Sequence, residues 1–358
     1  MHAVAAANAL EPPEPLPTSK EVLMKRLLVA AFLALVAAGC GTRRAEPAKP
    51  CPARFEIASG FETDFCRHLV PLSQFQSGGP GKDGIPAIDR PRFAPASSVD
   101  WLASPEPVIE LAVRRDGRAY PLQILIWHEI VNDRVGGVPV AVTFCPLCNT
   151  AIAFDRRVGG RTLSFGTTGN LRYSDLVMYD RQTESWWQQF GGEALVGHYA
   201  GTRLRELPAR IVAWREFEHR HPYGRVLTRK TGFSRPYGEN PYSGYDDVSS
   251  PPFFHAAHGG DQRLQPKQRV VFLERRRDAA IVPFSVLRRK RAIRVVVGGH
   301  HMVVRWRRGV ASALDSGSIP RGRDVGAASV TEHGKTVAFD EPFWFAVAAF
   351  RPHVRIVR

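Results

Sequence analysis

Cys145-Pro146-Leu147-Cys148 is the stretch of this 358-residue chain whose residue types and spacing could do chemistry. A proline at the second position presets φ near −65°, so the two thiols fall on one side of a turn. Sulfur is a soft donor, and such a pair can give two thiolates to zinc or copper. The same spacing lowers a thiol pKa and suits a dithiol that cycles to a disulfide. It equally suits a static disulfide that braces a hairpin. Two thiolates do not complete a tetrahedral zinc site, and the chain has no second C-x-x-C. A metal would therefore need further ligands, for which His128, His68 and Asp64 are the candidates. A thioredoxin-like redox site is disfavoured because these cysteines lie between strands rather than at the start of a helix.

The surrounding residues must position that turn, and their pattern is mostly that of strands. Residues 108–113 and 118–122 read as strands joined by a turn at 114–117. Leu122, Leu125, Ile126 and Ile130 keep helical spacing, so a short helix carrying His128 and Glu129 is expected. After Gly136-Gly137, Val138, Val140, Val142 and Phe144 belong to a strand buried on both faces. Further strands are expected at 151–155, 161–165 and 176–180, and a helix at 214–220 ending at His221-Pro222. Residues 77–89, rich in Gly and Pro, form a loop whose Asp83 and Asp89 are solvated or line a site. Gly166-Thr167-Thr168-Gly169-Asn170 reads as a glycine turn, a weak candidate for cradling an anion. Trp186 and Trp187 are expected in the core. His255-x-x-His258 has metal-like spacing but no obvious third ligand. No Ser-His-Asp signature is present, so hydrolase chemistry of that kind is not supported.

An internal repeat bears on where the chemistry lies. At an offset of 162, Pro121 meets Pro283, Leu125 meets Leu287 and Val135-Gly136-Gly137 meets Val297-Gly298-Gly299. Val142 then meets Val304, Phe144 meets Trp306 and Ala151 meets Ala313, with no gap. The match resumes at Gly160-Arg161-Thr162 against Gly334-Lys335-Thr336, and at Trp214 against Trp344. It continues at Pro222-x-x-Arg225-Val226 against Pro352-x-x-Arg355-Ile356. The second copy lacks the part corresponding to residues 166–213. In this register Cys145 corresponds to Arg307, Cys148 to Val310, His128 to Lys290 and Glu129 to Arg291. The strand pattern therefore does not require the cysteines, and special chemistry belongs to the first copy. The expected fold is α+β and β-dominated, built from two related, duplicated β-rich halves of which the second is shortened.

A net charge of +15 could suggest nucleic acid, but the basic residues are spread widely and no nucleic-acid motif accompanies them, so no nucleic-acid partner is expected. Met24-Lys25-Arg26 and the apolar residues 27–38 fit a signal peptide and are too short to span a bilayer. Val36-Ala37-Ala38-Gly39-Cys40 resembles a bacterial lipobox, so Cys40 is expected to carry a diacylglycerol and begin the mature chain. Residues 1–23 then read as a non-native extension, 24–39 as the signal, 40–54 as lipidated cysteine and linker, 55–265 as the first repeat and 266–358 as the second. The protein is expected at the cell envelope, anchored to the membrane and facing the periplasm or exterior. Disulfides persist there, and a bridge between Cys51 and Cys66 would close a loop of about 15 residues, worth roughly 3 kcal/mol.

Three segments carry a family resemblance. WHEIVNDRVGGVPVAVTFCPLCNTAIAFDR, FGTTGNLRYSDLVMYDRQTESWWQQFGGEALVG and the SRPYGENPY loop at 234–242 resemble domain of unknown function 3179, a bacterial and archaeal family. TDFCRHLVPL and SGGPGKDGIPAID are similar to it as well. The resemblance implies a secreted setting without an assigned activity, and places Cys145, Pro146, Cys148 and Asn149 in the family signature. Cys66 stands where relatives usually have a small polar residue, which favours a disulfide with Cys51 peculiar to this chain. The second half looks shorter and more degenerate than in relatives. Two functions follow as expectations: soft-metal binding or thiol redox chemistry at the C-x-x-C turn, or a non-catalytic envelope protein with a braced hairpin.

Overall fold

Short apolar strands broken by glycine corners leave little room for helix. In the computed structural model, which describes residues 55–254 and 260–358, strand accounts for 40% and helix for 13%. The fold is therefore β-dominated, with five sheets of three to five strands in a propeller-like arrangement and a two-stranded ribbon. Among the described residues no helix is long and apolar enough to cross a membrane.

Strands β1 (Phe75–Ser77) and β2 (Phe93–Pro95) precede the hairpin of β3 (Pro107–Val113) and β4 (Asp116–Pro121). Pro121 ends β4 and caps α1 (Leu122–His128), which stops where Glu129 turns left-handed at φ 57°. Its N–H then donates to the Leu125 carbonyl at 2.7 Å. Next come β5 (Ile130–Val135), β6 (Val138–Cys145) and β7 (Thr150–Asp155), a meander in which β6 and β7 are buried on both faces. The corner between β5 and β6 is Gly136-Gly137 at φ 53° and 83°, the pair that a two-residue hairpin favours. A Cβ on Gly136 would lie 2.4 Å from the Val113 carbonyl oxygen, so only glycine fits.

After the ribbon of β8 (Arg157–Val158) and β9 (Arg161–Thr162), a second meander forms from β10 (Phe165–Arg172), β11 (Asp175–Asp180), β12 (Trp186–Gln188) and β13 (Ala194–Val196). Trp186 and Trp187 are fully buried there, in the core as expected. Residues 166–170 do not form the expected glycine turn, the weak candidate for cradling an anion. They lie within β10, with a register shift between Thr167 and Leu171, because β1 and β11 hydrogen-bond to its two edges. The Asn170 N–H donates to the Thr168 hydroxyl at 2.9 Å and so is not free to cradle an anion. Loop residues Asp83 and Asp89 are both paired with Arg181, at 3.4 and 2.9 Å, and do not line an acidic site. Strand β14 (Arg205–Leu207) extends the β5–β7 sheet and β15 (Ala209–Ala213) pairs with β3. Helix α2 (Trp214–Arg220) leads to β16 (Arg225–Leu227), which runs parallel to β4.

The remaining elements repeat this order. Strands β17 (Val270–Arg275) and β18 (Asp278–Pro283), helix α3 (Phe284–Lys290), β19 (Ala292–Val297) and β20 (His300–Arg307) follow β3 to β6 at the offset of 162, with matching ends to within one residue. Arg291 takes the left-handed φ of Glu129, at 63°, and Gly298-Gly299 those of Gly136-Gly137. The Asp116 carboxylate accepts the Gly136 N–H at 2.9 Å, and Asp278 accepts that of Gly298 at 2.8 Å. Helix α4 (Trp344–Phe350) leads to β23 (Arg355–Ile356), parallel to β18 as β16 is to β4.

One expected correspondence is corrected. Phe144 pairs with Ala151 across β6 and β7, whereas Trp306 pairs with Ala328 across β20 and β21 (Ala327–Glu332). Ala151 thus corresponds to Ala328 rather than Ala313, and Cys148 has no counterpart at Val310. Residues 308–326 form a longer connection where the first unit has the turn 146–149. The ungapped match in sequence ended at the turn because a loop that makes no ladder bonds accepts an insertion at little energetic cost. Strand β22 (Lys335–Thr336) matches β9, and the described chain then passes to α4 without a counterpart of β10–β13.

The two glycine corners should respond alike. Gly136→Ala and Gly298→Ala each put a Cβ at positive φ within 2.6 Å of a carbonyl oxygen and are expected to cost about 1–3 kcal/mol. Thermal unfolding read by circular dichroism checks this, and wild-type midpoints for both would refute the shared corner.

Candidate functional site

Cys145 closes β6 opposite Thr150, and residues 146–149 make the hairpin connection. Asn149 takes a left-handed φ of 56°, which an asparagine tolerates better than most side chains. Its side-chain amide donates to the Glu341 carbonyl at 2.7 Å, and the Phe343 N–H donates to the Cys148 carbonyl at 2.9 Å. The segment before α4 thereby clamps the turn. Both thiols are free and buried.

They face a second hairpin. Tyr173 and Ser174, between β10 and β11, both have positive φ, at 53° and 67°, a two-residue turn made without glycine. Ser174 is held from outside, its hydroxyl donating to the Phe254 carbonyl at 2.9 Å and accepting the Phe254 N–H at 2.7 Å. Its carbonyl oxygen receives the S–H groups of Cys148 at 3.4 Å and Cys145 at 3.8 Å. The next residue, fully buried Asp175, completes the site. Asp175 Oδ2 accepts from the Phe190 N–H at 2.9 Å and from the Gln188 amide. Among the described residues Asp175 Oδ1 is buried with no N–H or O–H donor on it, and the Cys148 thiol is the further group that acts on this carboxylate. One carboxylate oxygen of Asp175 and the two sulfurs all lie within 4.8 Å of one another.

Comparison with known proteins gives this geometry a family. The model described as "Protein of unknown function (DUF3179)" matches residues 82–354. The chain belongs to the DUF3179 family. No curated protein and no solved structure matches it. Cys145, Cys148, Asp175 and Glu129 all fall within the DUF3179 span, whereas Asp64 and His68 precede it.

Electrostatics group the same residues. Burial, together with the Asp175 charge, pushes the Glu129 carboxyl up to about 8. Asp175 itself is pushed up to about 6 by burial, against the pull of the Phe190 N–H and Gln188. Burial raises both thiols, Cys148 well above the ordinary range, and the Asp175 charge adds to it in each. Tyr242 and Tyr245 are raised by burial first and by nearby groups of the same cluster, Glu129 and Cys145 for Tyr242 and the two thiols for Tyr245. All these groups are acids, so the site stays neutral only by holding protons, and a cation would take the protons' place. An activated thiolate is the opposite case, since it needs a lowered pKa.

The other candidate ligands go elsewhere. His128 is buried but uses both ring nitrogens. The Pro86 carbonyl accepts from Nδ1 at 2.7 Å, so Nε2 accepts the Tyr237 hydroxyl, also at 2.7 Å. Burial lowers its pKa, which favours the neutral ring. His68 bridges Val196, which pairs with Trp186 and through it with Tyr179. Tyr179 is four residues along β11 from Asp175, about 13 Å at 3.3 Å per residue. Asp64 is exposed and caps the N–H of Cys66 at 3.1 Å. His68 thus lies toward the Tyr179 end of β11 rather than the Asp175 end, and neither it nor Asp64 joins the cluster of Cys145, Cys148 and Asp175. Cys40, Cys51, His255 and His258 lie outside the described residues. Sequence reasoning missed Asp175 altogether and read Glu129 only as a helix residue. A turn at Tyr173 and Ser174 has no glycine or asparagine to announce it.

The raised carboxyls set a pH dependence. Between the ordinary glutamate value of 4.5 and about 8, the folded state keeps the Glu129 proton that the unfolded chain has released. Stability of the metal-free protein therefore falls as pH rises through that window. Glu129→Gln is expected to flatten the fall by a few kcal/mol at most, as measured by urea unfolding at a series of pH values. Parallel curves for the two proteins would count against it.

Proposed function

We propose that this DUF3179 chain binds a thiophilic divalent ion, zinc in the first instance and copper as the alternative, through Cys145, Cys148 and Asp175. The carrying observation is Asp175 Oδ1, buried with no N–H or O–H partner among the described residues, beside two free thiols. An unpaired buried carboxylate oxygen costs roughly 1–3 kcal/mol, and direct ligation supplies what it lacks. Two thiolates and one carboxylate suit zinc and leave one tetrahedral position. Glu129, whose charge acts on Cys145, is the fourth acid of the cluster. A second reading, a dithiol cycling to a disulfide, rests on the C-x-x-C spacing and is weakened by thiols raised rather than lowered.

Metal analysis of protein reconstituted with zinc and then desalted tests this. One equivalent is expected in the wild type and in the Asp64→Ala and His68→Ala variants. Cys145→Ser and Cys148→Ser should abolish retention, and Asp175→Asn should weaken binding at least tenfold. No stoichiometric ion in the wild type, or full retention in Cys148→Ser, would remove the metal reading.

We further propose that the two units arose by duplication, supported by the matched element ends and paired glycine corners. The lipobox supports a lipid anchor at Cys40 and an envelope location, and the cysteine pattern supports a bridge between Cys51 and Cys66. An intact mass before and after reduction, on protein recovered from membranes, checks both: a diacylglyceryl increment and a gain of about two protons per bridge on reduction are expected, and a free Cys66 thiol would exclude the bridge.

A further inference from the structure

Away from the thiols, a cleft of about 370 Å³ opens beside α3, lined by Lys267, Arg269, Arg288 and Arg323 against one carboxylate, Asp246. That size is within the range of small-molecule sites. Asp246 is already committed. Its side chain is fully buried and accepts from Arg269 at 3.4 Å, Arg323 at 2.7 Å and the Ser312 hydroxyl at 2.5 Å. Two cations are thereby neutralised in part, and two are left over.

Lys267 is the unusual one, only 2% exposed. Its ammonium donates to neutral groups, the Tyr245 carbonyl at 2.7 Å and the Ser250 hydroxyl at 2.8 Å, and sits 3.4 Å from the Tyr245 ring centroid. Among the described residues it makes no ion pair within 4 Å, and Asp247 and Asp246 act on it only from further away, so its burial is incompletely compensated and costly. Arg288 is exposed at the same cleft, with one long contact to the Val325 carbonyl at 3.4 Å and the Trp306 ring 5.7 Å away. Its planar fork is free to take a carboxylate or phosphate in two parallel hydrogen bonds. Gln268 and Ser285, hydrogen-bonded to each other at 2.6 Å, add neutral polar groups to the same wall.

We propose that this cleft binds a small polyanion, with Arg288 grasping its carboxylate or phosphate group and Lys267 supplying the buried counter-charge. The site does not depend on the metal reading: its lining residues and those of the thiol cluster are different.

Calorimetric titration of EDTA-treated protein at fixed ionic strength tests it, with inorganic phosphate and tricarballylate as probes and chloride as the reference. The expected result is saturable binding of one or both probes in the millimolar range or tighter. Whichever probe binds more tightly assigns phosphate or carboxylate chemistry. Arg288→Ala is expected to weaken binding at least tenfold at unchanged thermal stability, and Arg288→Lys to recover part of the loss. Binding no stronger than that of chloride, or equal affinity in Arg288→Ala, would overturn the proposal.

Discussion

The gathering of acids around one buried point, with no cation among the described residues hydrogen-bonded to any of them, is the constraint that the rest of the site answers to. The Cys145 and Cys148 thiols and the Glu129 and Asp175 carboxyls are all desolvated. Desolvation is the largest cause of every upward shift among them, ahead of any charge on a neighbour. The fold spends strain to keep this arrangement. Glu129, Asn149, Tyr173 and Ser174 are all non-glycine residues at positive φ, a conformation costing of order 1–3 kcal/mol each where no local compensation exists. Hydrogen bonds from outside hold the two hairpin turns: Phe254 on Ser174, and Phe343 on Cys148 with Asn149 on the Glu341 carbonyl.

Residues 270–307 follow the element order of β3 to β6 with different side chains at the corresponding positions. Arg291 stands where Glu129 stands and has the same backbone twist, yet its guanidinium lies 5.0 Å from the Trp306 ring centroid, a cation against an aromatic face rather than an acid among thiols. Trp306 replaces Phe144, and its indole N–H reaches the Val325 carbonyl at 3.3 Å. Residues 308–326 occupy the place of the four-residue turn 146–149. Several of them, with Phe343, Phe345 and Ala346, are buried in the same apolar cluster as the first unit's strands. The second unit thus contributes support to the thiol site and carries no cysteine of its own.

Legibility from sequence followed the range of the interactions. Period-two and helical spacing locate β3, β4, β6 and β7 within a residue or two, since each depends on neighbours close in the chain, whereas β5 has no such signal and its first residue, Ile130, fits the helical spacing of α1. The fully buried β6 was readable because its apolar run had no polar alternation. Residues 166–170 were misread because a glycine inside a strand at a register shift has the same composition as a glycine turn. Proximity in sequence also misled the choice of ligands. His128 is next to Glu129 in the chain, but it turns its ring to Pro86 and Tyr237.

By itself the sequence determined the strand-rich class, the repeated glycine corners and the pair of thiols on one turn, because local sterics and hydrophobic period decide those. Only the tertiary structure decided what the thiols meet. Asp175 is far from the cysteines along the chain and reaches them because the left-handed turn at Tyr173 and Ser174 folds β11 back on β10. Whether a buried carboxylate oxygen finds a partner depends on every element packed around it, and no spacing within one segment encodes that.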